Sequence, residues 1–141
     1  MIEYPFDKDN FDTKPVFTIY KDEDEWNSWN KRDDIVLHIE LRKIAQMLLI
    51  APLSANTLGK FANGLCDNLL SSVFRCWDIK GNKPVIVAPA MNTFMYEHPI
   101  TEFQLKFLEE KLNVKVLSTL FKRLMCGDEG YGAMLDVASI V

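Results

Sequence analysis

The chain has 141 residues, enough for one domain with a true core and too few for two. Apolar residues make up 48% of it and charged residues 26%, the balance of an ordinary globular protein. A net charge of −4 argues against a nucleic-acid surface or an anionic membrane as partner, so an anionic ligand would need local features such as helix N-termini. The longest apolar runs, Met47–Leu53 and Val85–Met91, fall far short of a bilayer span. The acidic start, MIEYPFDKDNFDTK, has no apolar core and is not expected to act as a signal peptide. Cys66, Cys76 and Cys126 form no CxxC pair, so neither a disulfide scaffold nor a metal site is expected. Cys66 and Cys76 read as reduced thiols packed on a helix of a cytoplasmic protein.

Residues 1–15 are polar, broken by Pro5 and Pro15, and read as a tail; residues 16–141 read as the single domain. Val16–Tyr20 has the β-branched and aromatic residues of a short strand. Asp22–Asp34 suits a turn or two of helix, with Trp26 and Trp29 leaning on the core. Leu37, Leu41 and Ile44 recur at helical spacing and lead into Met47–Ala51, an apolar run apt for a central parallel strand that Pro52 ends. Ser54–Thr57 supplies N-caps for a helix over Leu58–Ala62 that Gly64 closes, and Asp67 caps another helix through Trp77. Gly81-Asn82 turns the chain into a buried strand, Pro84–Ala88. Thr101–Leu112 is amphipathic, with Phe103, Leu105, Phe107, Leu108 and Leu112 facing inward. Val114–Leu117 is the last strand, followed by a loop with Gly127, Gly130 and Gly132 and an apolar stub ending at Val141.

Strands alternating with helices at this spacing predict βαβ units in a three-layer parallel α/β sheet. Ligands of such sheets sit outside the carboxyl ends of the strands. Two strands here end in the same device, Ala-Pro followed by small polar residues, which sets Ser54, Asn56, Thr57 and Asn92 along one edge.

Four segments carry candidate chemistry. Small polar residues at Ala51–Lys60 let backbone N–H groups approach a flat or anionic ligand, or simply cap a helix. Pro89–Pro99 offers Met91, Asn92, Met95 and two aromatics either to a cofactor or substrate or to the core; His98 within it reads as an exposed helix-start residue. In Arg123–Gly132, Cys126 lies in a glycine-rich loop beside Lys122 and Arg123, whose field favours a reactive thiol, while Asp128 and Glu129 oppose it. His38 opens a helix near the strand ends, where a histidine serves either as a general base or as a satisfied structural group.

Together, VLHIELRKIAQMLLIAPLSANTLGKFANGLCDNLLSSVFRCWD, PVIVAPAMNTFMYEHP and KRLMCGDEGYGAM closely resemble the phosphopantothenoylcysteine decarboxylases and the related halotolerance-type flavoproteins. The resemblance runs from about Val16 to Met134, with the three motifs in the family's order. It implies a flavodoxin-like fold, FMN bound at subunit interfaces of a trimer (of this chain or with related subunits), and a cytoplasmic enzyme of coenzyme A biosynthesis. The implied reaction is decarboxylation of 4′-phosphopantothenoylcysteine to 4′-phosphopantetheine, with the flavin carrying the redox chemistry. His38 matches the active-site histidine, Asn92 the asparagine that holds the substrate carboxylate, and Cys126 the cysteine that protonates the ene-thiol. Ser54, Ala55, Asn56, Thr57 and Ala90 match FMN contacts; Met95 falls on the substrate side, and Lys122 and Arg123 are candidates for the substrate phosphate. The family opens with a strand, a Gly-Ser-type loop and a helix that grip the FMN phosphate, and closes with a helix. Neither this first β-α unit nor the last helix is expected here, and FMN binding by the chain alone is expected to be weak. The alternative expectation is a non-catalytic regulatory subunit that inhibits a protein phosphatase, as some relatives do.

Overall fold

The fold, taken from a computed structural model, is described for residues 2–5, 16–123 and 129–141. At its centre is a parallel sheet of three strands, with helices packed against it. In chain order, β1 (Ile2–Pro5) and β2 (Val16–Ile19) precede α1 (Asp22–Ser28) and α2 (Leu37–Ile44). Then come β3 (Leu48–Leu53), α3 (Ala55–Asn63), α4 (Leu69–Arg75), β4 (Val85–Pro89), α5 (Thr93–Tyr96), α6 (Pro99–Leu112) and β5 (Val114–Val116). A hairpin, β6 (Leu120–Arg123) and β7 (Glu129–Ala133), and a last turn of helix, α7 (Val137–Ile140), follow. Among the described residues no helix is long and apolar enough to cross a membrane.

The sheet order is β3-β4-β5, with Leu48 opposite Val85, Ile50 opposite Val87, and Val85 and Val87 opposite Val114 and Val116. The buried residues of β4 are Val85, Val87, Ala88 and Pro89, an almost unbroken apolar run fit for a strand with neighbours on both sides. Around the sheet, Ile50, Leu53, Val85, Val87 and Val114 form one core with Leu58 and Phe61 of α3, Val73 and Phe74 of α4, and Leu108 of α6. Phe61 and Phe74 stack with ring centroids 3.8 Å apart.

Several helix ends are fixed by side chains. Ser54 caps α3, and Gly64 closes it with φ +70°, a left-handed conformation that suits glycine. Lys83 Nζ donates to the carbonyls of Arg42 (3.1 Å) and Lys43 (2.9 Å), placing a positive charge on the C-terminus of α2. The acidic helix α1 caps two others. Asp22 Oδ1 accepts the Leu69 N–H (2.8 Å) at the start of α4, and Glu25 Oε2 accepts the His38 N–H (2.9 Å) at the start of α2. Val36, the N-cap of α2, makes no side-chain cap of its own, so Glu25 supplies that acceptor from another helix.

The structure corrects six local expectations. Ile2–Pro5, expected as tail, pairs antiparallel with Val16–Ile19, so the first predicted strand belongs to a hairpin outside the parallel sheet. Pro52 does not end β3: the strand passes through a cis Ala51–Pro52 peptide and, after a register shift, pairs Leu53 with Pro89. β3 is also an edge strand among the described residues, with Leu49 40% exposed; β4 is the central one. Asn68, not Asp67, caps α4, because its Oδ1 reaches the Ser71 N–H (2.8 Å), while Asp67 pairs with Lys60 (2.7 Å). Trp26 and Trp29 point outward, and so does Phe103, which occupies the solvent side of α6 opposite buried Leu108. Cys66 is exposed in the α3–α4 connection rather than packed on a helix, and Cys76 is half-buried at the end of α4.

Leu108 is fully buried, and its removal leaves a void between α6 and the sheet. Leu108→Ala is expected to lower unfolding free energy by about 2–5 kcal/mol, read from urea denaturation midpoints.

Candidate functional site at the carboxyl edge of the sheet

Parallel pairing brings the ends of β3 and β4 to one edge, where the Ala90 N–H donates to the Leu53 carbonyl (2.9 Å). Each strand then enters a helix through a polar cap. On the β3 side, Ser54 Oγ accepts the Thr57 N–H (3.2 Å) and donates to Thr57 Oγ1 (3.1 Å). First-turn N–H groups have no intrahelical acceptors, and Ser54 serves only that of Thr57. The N–H groups of Ala55 and Asn56 therefore remain at this edge as donors with the positive end of the α3 dipole behind them.

On the β4 side, Asn92 Oδ1 accepts the Phe94 N–H (2.8 Å) as the N-cap of α5. That bond fixes which end of the amide is the acceptor. Thr101 Oγ1 donates to the Met95 carbonyl (2.5 Å), which ties α5 to α6 and leaves the Met95 and Phe94 side chains exposed. Capping, one of the two readings open for Ala51–Lys60, is thus real, and Asn92 caps a helix in the same way on the other strand.

The hairpin β6–β7 is seated on this loop. The Met91 N–H donates to the Gly132 carbonyl (2.9 Å). A Cβ on Gly130 would lie 2.5 Å from Thr93 Cγ2, and a Cβ on Gly132, whose φ is +127°, would strike the Met91 carbonyl. Only glycine permits so close a seat at the second position. Beneath it, the Oγ1 of Thr93 is buried with no hydrogen-bond partner among the described residues. Gly130 and Gly132, expected in a loop, therefore lie in a strand, β7, of a two-stranded arm. Cys126 lies outside the described residues, as do Gly127, Asp128 and the side chains of Arg123 and Glu129. Lys122 is exposed on β6, opposite Gly130. Bonding to Ser139 holds the Asp136 carboxyl below its ordinary range, with the Lys122 charge a lesser contributor.

His38 stands in a neighbouring cluster formed by α1, α2 and α4. Its Nδ1 lies 2.5 Å from Glu25 Oε1, and Cys76 Sγ faces its carbonyl (3.6 Å) as well as that of Val73 (3.3 Å). Burial pushes the Cys76 thiol above its ordinary value, opposed by the Arg42 charge, so the thiol stays protonated and donates. The described contacts of His38 run to these two residues and not to the strand edge. The structure thus gathers Ser54, Ala55, Asn56, Thr57, Ala90 and Asn92, seats the Lys122 arm on the neighbouring Met91 and Thr93, and holds His38 in its own cluster. Glu25 went unnoticed in the sequence. The signal was only an acidic run ahead of Trp26, with no spacing that links it to a histidine 13 residues on. Among the described residues no cluster of three or more His, Cys, Asp or Glu side chains is placed to hold a metal ion.

Fold and edge define the class as an α/β protein with a polar ligand edge beyond the carboxyl ends of a parallel sheet. The Flavoprotein family model matches residues 6–141, and the chain belongs to that family. It is 58% identical over 123 residues to a phosphopantothenoylcysteine decarboxylase of Arabidopsis thaliana, covering 87% of this chain and 57% of the relative. It is 52% identical over 124 residues to the phosphopantothenoylcysteine decarboxylase of Mus musculus, covering 88% of this chain and 59% of that one. The chain thus spans less than two thirds of the length of these relatives. A solved PPC decarboxylase with a cysteine-to-serine change, complexed with pantothenoylaminoethenethiol, superposes with a TM-score of 0.83 at 57% identity, covering 87% of this chain and 66% of that one. The FMN binding protein AtHal3 gives 0.78 at 58% identity, covering 87% and 65%. The fold is therefore the flavodoxin-like one that the motifs implied.

If Gly132 seats the arm, Gly132→Ala unseats it locally while the core survives. Hydrogen exchange at the Met91 amide is expected to accelerate strongly, with exchange in β4 unchanged.

Proposed function

We propose that the chain takes part in FMN-dependent decarboxylation of 4′-phosphopantothenoylcysteine to 4′-phosphopantetheine, a step of coenzyme A biosynthesis. The observation that carries this reading is the seating of the β6–β7 arm on the Asn92 loop beside the α3 N-terminus, in a chain more than half identical to phosphopantothenoylcysteine decarboxylases.

The edge suits a flavin. Donor N–H groups of Ala55 and Asn56, hydroxyls of Ser54 and Thr57, and the small side chains of Ala55 and Ala90 leave room for a flat ring that needs hydrogen bonds at its rim. Bound FMN would supply the two-electron redox chemistry at the substrate thiol.

The chain's own groups supply the rest. Asn92, held by its Oδ1 bond from the Phe94 N–H, takes the substrate carboxylate and holds it until CO₂ departs. His38 takes the role of base in the oxidative half. Cys126 protonates the ene-thiol, and Lys122 with Arg123 serves the substrate phosphate. Met95, exposed beside Asn92, offers an apolar surface to the substrate chain. A cytoplasmic trimer completes the reading; exposed Trp26, Trp29, Phe94 and Phe103 are candidates for burial between subunits.

The test is CO₂ release from phosphopantothenoylcysteine with FMN supplied. Asn92→Ala is expected to lower turnover by about a hundredfold, the usual loss for one oriented donor. Cys126→Ser is expected to release CO₂ yet accumulate the ene-thiol. Unchanged product formation by either variant would refute the assigned roles. Absence of CO₂ release by the unaltered, FMN-saturated chain would refute the reading as a whole.

A further inference from the structure

We propose that Glu25 is the positioning residue of His38, holding the ring in the tautomer with its proton on Nδ1 so that Nε2 is the basic nitrogen. One carboxylate makes both bonds: Oε2 accepts the His38 N–H (2.9 Å), and Oε1 lies 2.5 Å from Nδ1. An ionised carboxylate only accepts hydrogen bonds, so Nδ1 is the donor and the lone pair of the neutral ring falls on Nε2. The pair is sheltered, with the Glu25 side chain 17% exposed and that of His38 25% exposed.

Glu25 is held in place by its own helix. The Lys21 N–H donates to Asp24 Oδ2 (2.7 Å), and Asp22, one turn before Glu25, is bonded to the Leu69 N–H of α4 (2.8 Å). Two acids three residues apart on α1 thus grip the first turns of α4 and α2. The backbone bond places His38 against the carboxylate, and the side-chain bond sets the plane of its ring. Other ionisable groups packed around the pair are Arg42 of α2 and Cys76 at the end of α4. The Cys76 thiol is directed at backbone carbonyls, those of Val73 (3.3 Å) and His38 (3.6 Å), and leaves the ring nitrogens alone.

The chain's other histidine is an internal contrast. His98 Nδ1 accepts the Ile100 N–H (3.2 Å), so its proton belongs on Nε2. The two rings therefore carry opposite tautomers, each set by what faces Nδ1. The tautomer of His38 follows from these contacts alone; its consequence for catalysis rests on the decarboxylase reading, in which His38 is the base.

Long-range proton–nitrogen correlation spectra of ¹⁵N-labelled protein, taken at a pH where both rings are neutral, test this directly. The expected spectrum shows His38 with the Nδ1–H pattern and His98 with the Nε2–H pattern. Glu25→Gln has one amide oxygen for two donors, so it is expected to keep that oxygen on the His38 N–H, turn its NH₂ to Nδ1, move His38 to the Nε2–H pattern and lower CO₂ release with the fold intact. Glu25→Ala is expected to move His38 to Nε2–H, leave His98 unchanged as a mark of intact folding, and cut kcat by about tenfold or more with KM little altered. An Nε2–H pattern for His38 in the unaltered protein would overturn the proposal even if Glu25→Ala fails to fold. A tautomer change in Glu25→Ala with full turnover would overturn the positioning role. The spectra need no substrate, so a chain that releases no CO₂ defeats the decarboxylase reading without touching the tautomer assignment.

Discussion

Parallel pairing of β3 with β4 persists past Ile50 and Val87 although each strand carries a proline near its end. Proline donates no ladder hydrogen bond, so pairing there has to be rebuilt around it. The register shifts between Ile50 and Leu53, Leu53 comes opposite Pro89, and the next N–H, that of Ala90, closes the ladder on the Leu53 carbonyl. Leu53 and Pro89 are both fully buried, which fixes the two strand ends in height as well as in register. Ser54 and Asn92 inherit their positions from this closure, since each follows the last paired residues by no more than three positions and caps the helix beyond. The arm inherits its position in turn, because it bonds to Met91 and leans on Thr93.

A second constraint is electrostatic and sits on the other side of the molecule's logic. α1 buries no residue of its own, yet its acids satisfy helix N-termini on α2 and α4. Charge on such groups is favourable near a helix start, where the dipole and the unpaired N–H groups act together. The same contact that stabilises α2 also reaches the ring of His38. Stability and positioning are joined in one side chain, which is why the Gln variant separates them better than Ala does.

The parallel core was legible because short unbroken apolar runs ending in Ala-Pro, alternating with helical segments, have few other uses. Caps at Ser54 and Gly64 were legible for similar reasons, as local chemistry dictates them. What escaped was nonlocal. Continuation of β3 through Pro52 depends on pairing with Pro89, 37 residues on, and the sequence near Pro52 reads as a stop. Exposure of Trp26, Trp29 and Phe103 escaped because aromatic spacing says which residues share a face but not whether anything covers it. The arm escaped as well: its glycines were read as loop freedom, whereas Gly130 and Gly132 lie in a strand where another backbone or side chain approaches closely. Among candidate site residues, those at the strand edge were legible from topology. Glu25 was not, because helix-to-helix capping leaves no periodic trace.

The central claim is that the edge formed by the ends of β3 and β4 is the ligand site. Backbone amide shifts on titration with FMN to saturation test it most directly. The account predicts that the largest changes fall on Ser54, Ala55, Asn56 and Thr57 and on Ala90, Met91 and Asn92. Changes centred instead on Gly81, Asn82 and Lys83, ahead of β4 at the opposite end of the sheet, would contradict it.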